Sequence, residues 1–246
     1  MIPMTQQTLN QNSAAAFHTT RWTRVCAAKA ESEDGRKALA DLCDAYYEPV
    51  VAFLRCELRD ADAAREMSHA FFAEMLAGGT IHTAARERGR FRSYLLGAVK
   101  HFLSHQREAA QRLKRGGGVE AVSLEDTEAQ VVADARQPTP DTAFDRQWAL
   151  TLLSRALSDL QRECELEGKA TVFEKLQPWL TGDAAHGDQL ELAASLDMNL
   201  NSLKSQIHRL KSRFRALVKE QIAATMNEGG SIDEEMTVLF AALRRN

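Results

Sequence analysis

The stretch Asp188 to Val218, DQLELAASLDMNLNSLKSQIHRLKSRFRALV, limits what this chain can fold into more than any other. Leu192, Ala193 and Leu196 share a face of a short first helix, with small Ala193 where a neighbouring helix must approach closely. Asp197-Met198-Asn199 interrupts that pattern, and Asn199 is suited to cap the helix that follows. In this second helix Leu203, Ile207, Leu210, Phe214 and Leu217 recur at the spacing of one buried stripe. Ser202, Lys204, Ser205, Gln206, His208, Arg209 and Lys211 are left facing outward. Two short helices joined by a tight turn in this way form a helix-turn-helix pattern, whose second helix enters a DNA major groove. The bland alternative is a basic helix pair that never meets nucleic acid. Between Asn201 and Lys219 there are six Lys or Arg and no Asp or Glu, an uncompensated field that suits phosphates. Short hydrogen-bonding side chains near the start of the helix suit base edges, and the cations further along suit the backbone.

The net charge of −3 over 246 residues argues against an indiscriminate DNA coat, so basic character must be local. Arg86 to Arg115 holds nine Lys or Arg against two Glu, whereas Val119 to Asp145 holds seven Asp or Glu against one Arg. The order along the chain is therefore basic, acidic, basic. The four cysteines, Cys26, Cys43, Cys56 and Cys164, form no C-x-x-C pair, which points to structural thiols in a reducing compartment. No apolar run approaches the roughly 20 residues of a membrane span, and the polar start lacks the apolar region of a signal peptide. The expectation is a cytoplasmic protein without a membrane partner.

Periodicity predicts an all-α fold. Residues 1–16 are Gln/Asn/Thr-rich and aperiodic. Phe17 to Ala30 reads as a short helix anchored by Trp22 and Val25, and Arg36 to Leu58 as helix broken by Pro49, which would open a second one. Asp60 to Leu76 follows, with Met67, Phe71, Phe72, Met75 and Leu76 inward, and Gly78-Gly79 stops it. After the polar loop Thr80 to Arg90, a long amphipathic helix runs from Phe91 to Lys114. Val119 to Asp145, with Pro138 and Pro140, reads as an extended acidic linker. Helix resumes from Phe144 to Glu167, from Thr171 to Leu180 and in the helix-turn-helix. Beyond Gly229-Gly230, Met236, Leu239, Phe240 and Leu243 share one face of a last helix. This gives two helical lobes: a mobile start (1–16), a first lobe (17–118), the linker (119–143), a second lobe (144–226) with its helix-turn-helix at 188–218, and an extension (227–246).

This arrangement resembles the extracytoplasmic-function (ECF) group of bacterial sigma factors. ALADLCDAYYEPVVAFL (Ala38–Leu54) is similar to the opening of sigma region two, and DAAREMSHAFFAEML (Asp62–Leu76) to its polymerase-binding helix. RGRFRSYLLGAVKHFLSHQREAAQR (Arg88–Arg112) is similar to the helix that engages the −10 element. SLDMNLNSLKSQIHRLKSRFR (Ser195–Arg215) is similar to the −35-reading motif of region four. TTRWTRV and DEEMTVLFAAL, near the two ends, resemble a planctomycete-type subgroup with a C-terminal extension. The pattern departs at Glu66 and His69, where the family usually carries Asp and Gln, and at Asp197, where it usually carries Gly. Asp can visit the left-handed region such a turn needs.

The resemblance implies a non-enzymatic transcription initiation factor, without cofactor, that binds core RNA polymerase and promoter DNA as duplex and as melted strand. Asp62, Arg65, Glu66 and His69 would face polymerase. Arg88, Arg90, Arg92, Lys100, His101, His105, Arg107 and Arg112 would line the −10 strand path, with a base-capturing pocket in Thr80–Arg90. In region four, Ser202, Ser205, Gln206 and Arg209 would read bases, and Lys204, His208, Lys211 and Arg213 would hold phosphates. The acidic linker would be either a tether or an anionic placeholder in a polymerase channel. The extension would either cap region four or regulate the factor. An anti-sigma factor or a kinase is compatible as a further partner.

Glu66 and His69 have the Glu-x-x-His spacing of di-iron bundles, but no second copy accompanies them. Gly116-Gly117-Gly118 follows no strand and precedes no G-K-[ST], so it lacks the context of a phosphate loop. Two rival readings stand beside the sigma factor. A conventional helix-turn-helix regulator would act without polymerase on a palindromic site, and a helical protein-binding adaptor would have no DNA affinity.

Overall fold

The computed structural model describes residues 33–77, 91–116, 138–181, 189–224, 226 and 231–244. These residues form eight helices and no strand, so the described chain is all-α. They are α1 (Glu33–Leu58), α2 (Ala61–Ala77), α3 (Phe91–Gly116), α4 (Pro140–Leu166), α5 (Ala170–Thr181), α6 (Gln189–Ser195), α7 (Leu200–Ala223) and α8 (Ile232–Arg244). No described helix is long and apolar enough to cross a membrane. The N-terminal segment with Trp22 and Val25, the loop Thr80–Arg90 and most of the acidic stretch lie outside the described residues.

Two of the expected boundaries are corrected. Pro49 does not start a new helix, because α1 runs through it. An internal proline removes one backbone hydrogen bond and crowds the preceding turn. Here the flanking Ala45, Tyr46, Val50, Phe53 and Leu54 are all buried, and their packing holds the helix together across the lost bond. The acidic linker is also shorter than its composition suggests, since α4 begins at Pro140. Pro140 occupies the first turn, where its missing N–H is no loss. The Thr139 side chain accepts from the Thr142 N–H at 3.2 Å, and Asp141 sits in the favourable first turn.

Local signals elsewhere agree with the helix limits. Asp60 caps α2: its Oδ1 accepts from the N–H groups of Asp62 and Ala63 at 2.9 and 3.1 Å. α4 ends in a Schellman turn, in which Lys169 N–H donates to the Cys164 carbonyl and Gly168 N–H to that of Glu165. Gly168 takes φ +71°, the left-handed value this turn needs and glycine tolerates best.

The packing does not divide at the acidic stretch. One large core joins α1, α2 and α3 to α4, to Phe173 of α5, to the second half of α7 and to α8. α4 makes its broadest contact with α1, and its buried Phe144, Trp148, Ala149 and Leu152 belong to that shared core. α3 meets α1 through Tyr46 and Phe91 (ring centroids 5.0 Å apart) and α2 through Phe71 and Phe102 (5.5 Å). α8 lies on α4 and α7, with Met236, Leu239 and Ala242 inward. A second, smaller core holds the helix-turn-helix: Leu176 of α5, Ala193 of α6, and Leu203 and Ile207 of α7. α5 and α7 thus enter both cores, α5 through Leu176 and Phe173, and α7 with its first half in the small core and its second half in the large one.

Cys43, Cys56 and Cys164 are free thiols. Burial, helped by neighbouring Asp44, pushes the Cys43 thiol up to about 11. Burial raises Cys56 and Cys164 as well, so all three are held neutral and unreactive.

Trp148 is only 2% exposed at the meeting of α1, α3 and α4, whereas Phe240 on α8 is 50% exposed. Trp148→Ala should therefore destabilise the protein by about 3–5 kcal/mol. Phe240→Ala should change stability by no more than about 1 kcal/mol. Urea unfolding of the two variants checks the contrast.

Candidate nucleic-acid interface

The turn between α6 and α7 is fixed from both sides. Met198 N–H donates to the Ala193 carbonyl at 3.0 Å and Asp197 N–H to the Ala194 carbonyl at 3.2 Å, the two bonds of a Schellman turn. Asp197 holds the left-handed position with φ 51°, where the equivalent turn after α4 uses Gly168. Asn199 then caps α7, its Oδ1 accepting from the Ser202 N–H at 2.8 Å. One helix is stopped and the next begun within a few residues. The small core clamps the pair through Ala193, whose methyl side chain lets α6 come close to Leu203 and Ile207.

This clamping sets the outward face of α7. Ser202, Ser205 and Arg209 are exposed along one side, with Gln206 half-buried beside them. Lys204, His208 and Lys211 are exposed on the opposite flank. An open concave surface runs from Met198 to Arg209 across the turn and the start of α7. Ser205 Oγ donates back to the Asn201 carbonyl at 2.9 Å, which leaves its lone pairs available to a donor. Lys204, Arg209 and Lys211 form no ion pair with any described residue, so this face meets solvent with its charge uncompensated. Lys211 also borders an apolar groove shared by α4, α5, α7 and α8, where Phe214, Met236 and Phe240 lie.

Arg213 is placed differently from its neighbours. Its Nε and Nη2 donate to the two Glu163 carboxylate oxygens of α4 at 2.8 and 2.6 Å, and its Nη1 donates to Glu220 at 2.9 Å. The bidentate pair holds the Glu163 carboxyl below its usual range and the Arg213 guanidinium more firmly charged than usual, in each case chiefly through that hydrogen bond. In this state Arg213 fastens α7 to α4. The sequence carries a signal for the Glu220 contact alone, seven residues further along the same helix; the pairing with Glu163 is set by how α4 lies.

The residues expected on the −10 strand path separate into two flanks of α3. Arg88 and Arg90 lie outside the described residues. On one flank are Arg92, Lys100 and Arg107, and each meets a carboxylate. Arg92 Nη1 pairs with Asp145 of α4, its guanidinium lies 4.7 Å from the Trp148 ring centroid, and its Nε is 3.9 Å from Glu235 of α8. With its side chain only 12% exposed, Arg92 points into the protein. Lys100 Nζ donates to Asp141 of α4 at 2.7 Å, and Arg107 Nη2 donates to Glu57 of α1 at 2.8 Å. The other flank carries His101, His105 and Arg112. The two histidine Nε2 atoms are 3.1 Å apart and line a cleft of about 300 Å³ with Phe71, Glu74, Tyr94 and Phe102. Arg112 lies beyond them and pairs with Glu108 of its own helix at 3.3 Å. The inward turn of Arg92 was legible: Leu96, Val99 and Leu103 follow it at helical spacing, so it heads an apolar stripe.

The four residues expected to face polymerase sit together on the exposed side of α2. Arg65 pairs with Asp62 at 3.0 Å, and Glu66 is exposed beside them. His69 Nε2 is 2.9 Å from the Tyr47 hydroxyl, with the two rings stacked at 5.5 Å. Tyr47 thereby joins this surface, a contact between α1 and α2 that sequence spacing could not disclose. Among the described residues no group of three His, Cys, Asp or Glu side chains is placed to hold a metal ion.

The turn makes two opposite predictions. Asn199→Ala removes the cap of α7 and should cost about 1 kcal/mol. Asp197→Gly relieves a left-handed non-glycine residue and should stabilise by up to about 1 kcal/mol. Thermal denaturation of both variants checks the signs. A third prediction concerns pH. Because the Glu163 carboxyl is depressed in the folded protein, its pairing with Arg213 contributes stability above the ordinary carboxylate range of about 4.3 and loses it as pH falls through the folded value. Glu163→Gln should therefore be less stable than the parent at neutral pH, and the gap should close on acidification below that range.

No protein-family model, no curated protein and no solved structure matches this chain, so the capped helix-turn-helix and the two-flanked basic helix are what a functional reading must rest on.

Proposed function

We propose that this chain is an ECF-type sigma factor: a cytoplasmic, non-enzymatic subunit that binds core RNA polymerase and directs it to promoters. The observation that carries the reading is the pairing of two basic helices of different kinds in one all-α chain. α7 offers a rigidly capped, uncompensated face of the size and polarity that major-groove readout requires. α3 offers two histidines at an aromatic-lined cleft and the exposed cations Lys100 and Arg107 on its other flank, and stacking surface with positive charge on one helix suits an unpaired strand. A regulator that binds only duplex DNA has a use for the first helix and none for the second.

On this reading the chain has two lobes in the functional sense. α1 to α3 hold polymerase through Asp62, Arg65, Glu66 and His69 and engage the melted −10 strand. α5 to α7 read the −35 duplex through Ser202, Ser205, Gln206 and Arg209, with Lys204, His208 and Lys211 on phosphates. The −10 path then runs along the His101–His105 side of α3, while Arg92 serves the fold. The acidic stretch before Pro140 is the connection the two lobes require when they engage separate DNA elements.

The test uses purified protein, core polymerase and a promoter selected from random-sequence DNA. Co-elution of the chain with core polymerase is expected, and Glu66→Lys with His69→Ala should abolish it while leaving the circular dichroism spectrum unchanged. Arg209→Ala should cost about 1–3 kcal/mol on the selected −35 sequence and relax preference there, whereas Lys204→Ala should weaken all sequences alike. Full binding to duplex DNA as a dimer, with no affinity for core polymerase, would favour the conventional regulator instead.

A further inference from the structure

His101 and His105 stand one helical turn apart on α3, so both rings leave the same face of the helix. Tyr94 and Ala98 precede them on that face, and Phe71, Glu74 and Met75 of α2 close the other side of the cleft. Both histidines are exposed at its rim. The backbone beneath them is firmly held. Phe71 and Phe102 meet edge to face between the two helices, and Leu95, Val99 and Leu103 are buried in the large core. A pair of side chains on such a helix keeps its spacing better than a pair on a loop.

The two rings are placed as a chelating pair. Their Nε2 atoms are 3.1 Å apart and their centroids 4.2 Å apart. An ion bound to both at the usual zinc–imidazole distance of about 2.0–2.1 Å would see the 3.1 Å pair at an angle of about 95–102°. That lies between the right angle of square or octahedral coordination and the tetrahedral angle, within reach of copper and zinc geometries. In the present contact one Nε2–H donates to the other Nε2. An ion takes the place of that proton when both rings carry theirs on Nδ1 and turn about their soft terminal torsions. Histidines at i and i+4 on one face are also how helices present imidazoles to zinc. Among the described residues neither ring meets a carboxylate, whereas His69 is engaged by Tyr47. No third His, Cys, Asp or Glu among the described residues completes a cage, which leaves the remaining positions of an ion to water. Glu74, the one acid lining the cleft, offsets part of the added charge from across it.

We propose that His101 and His105 bind one late first-row divalent ion, of the zinc and copper class, and that the bound ion holds a nucleic-acid phosphate at this cleft. The cleft offers aromatic surface for stacking but no Lys or Arg of its own, and the ion supplies the missing positive charge. Its water ligands can exchange for a phosphate oxygen. The phosphate half of the inference rests on the reading of α3 as a strand-binding helix, whereas the metal half rests on the geometry of the pair.

The metal half is tested on the untagged full chain, stripped with chelator, by equilibrium dialysis against zinc chloride. The wild type should bind one ion beyond any background shared with the double variant His101→Ala, His105→Ala. Each single variant should lose at least about tenfold in affinity and the double little more, because the two rings act as a unit. Glu74→Gln should weaken binding less than either. Electron paramagnetic resonance with one equivalent of copper(II) chloride should show coupling to two imidazole nitrogens in the wild type alone. All three side chains are exposed, and metal-free thermal melts check that the variants fold. The phosphate half is read by anisotropy of a short fluorescein-labelled, mixed-sequence oligodeoxynucleotide. Zinc should tighten its binding to the wild type about three- to tenfold, the size of one added polar contact, and leave the double variant unchanged.

Equal zinc binding by the wild type and the double variant would overturn the metal site, as would a copper spectrum with fewer than two imidazole nitrogens. Zinc binding without a change in oligodeoxynucleotide affinity would overturn the phosphate role. Those outcomes leave the polymerase reading standing. Failure to bind the oligodeoxynucleotide at any zinc concentration would instead overturn the strand-binding assignment of α3 and the phosphate role with it, and dialysis would still decide the metal site.

Discussion

The guanidinium of Arg92 is the point on which the arrangement of the chain depends. It joins α3, α4 and α8 by charge, through Asp145 and Glu235, under the face of Trp148. Half-buried ion pairs of this kind add little net stability over an apolar contact, but removing one partner strands the others at a cost of about 3–5 kcal/mol. Their effect is on geometry. A sliding or rotated α4 would still bury Phe144 and Leu152 against α1, yet the observed register also brings Asp145 to Arg92 Nη1 and places Glu235 3.9 Å from its Nε. Specificity of packing comes from the charge, and the bulk of the free energy from the surrounding apolar side chains.

A consequence is that the chain is continuous in packing where its charge pattern is interrupted. The large core runs from α1 to α8 and takes in Phe173 of α5, while Leu176 of α5, α6 and the first half of α7 form a small core of their own. The helix-turn-helix is thus carried on the end of a rigid beam. α7 is anchored at its far end by Leu217, Val218 and Ile222 and braced at mid-length by the Arg213–Glu163 pair. Such a mounting keeps the exposed face of α7 in a fixed orientation, which is what recognition of base edges demands and what a loop could not supply.

Much of this was legible in the sequence, for identifiable reasons. The stripe Leu203–Ile207 and the cap at Asn199 are local features, set by helical periodicity and side-chain length, and the described geometry matches them. Asp197 in a left-handed turn was readable only through the resemblance, whose pattern usually carries Gly at that position. Charge was less transparent. A count of Arg and Lys on α3 does not distinguish a cation aimed at solvent from one aimed at a carboxylate some fifty residues away. Arg92 could be separated from the rest by the apolar residues that share its stripe, but the partners of Lys100 and Arg107 are set by how α4 and α1 lie, which no local pattern encodes. Pro49 and Pro140 misled in the same way: each was read as an interruption, and tertiary packing in one case and first-turn placement in the other make each a helical residue.

In the function proposed for this chain, the two basic helices serve one event, the opening of a promoter by RNA polymerase. The most direct measurement is transcription by purified core polymerase on a library of bacterial genomic fragments, with and without this chain, with start sites mapped by sequencing. The expected result is a set of start sites that depend on the chain and share two short motifs at a fixed separation upstream. Ser202, Ser205, Gln206 and Arg209 substitutions should alter the distal motif, and His101 and His105 substitutions should impair opening at the proximal one. An unchanged set of start sites, with the chain bound to duplex DNA and absent from polymerase, would contradict it.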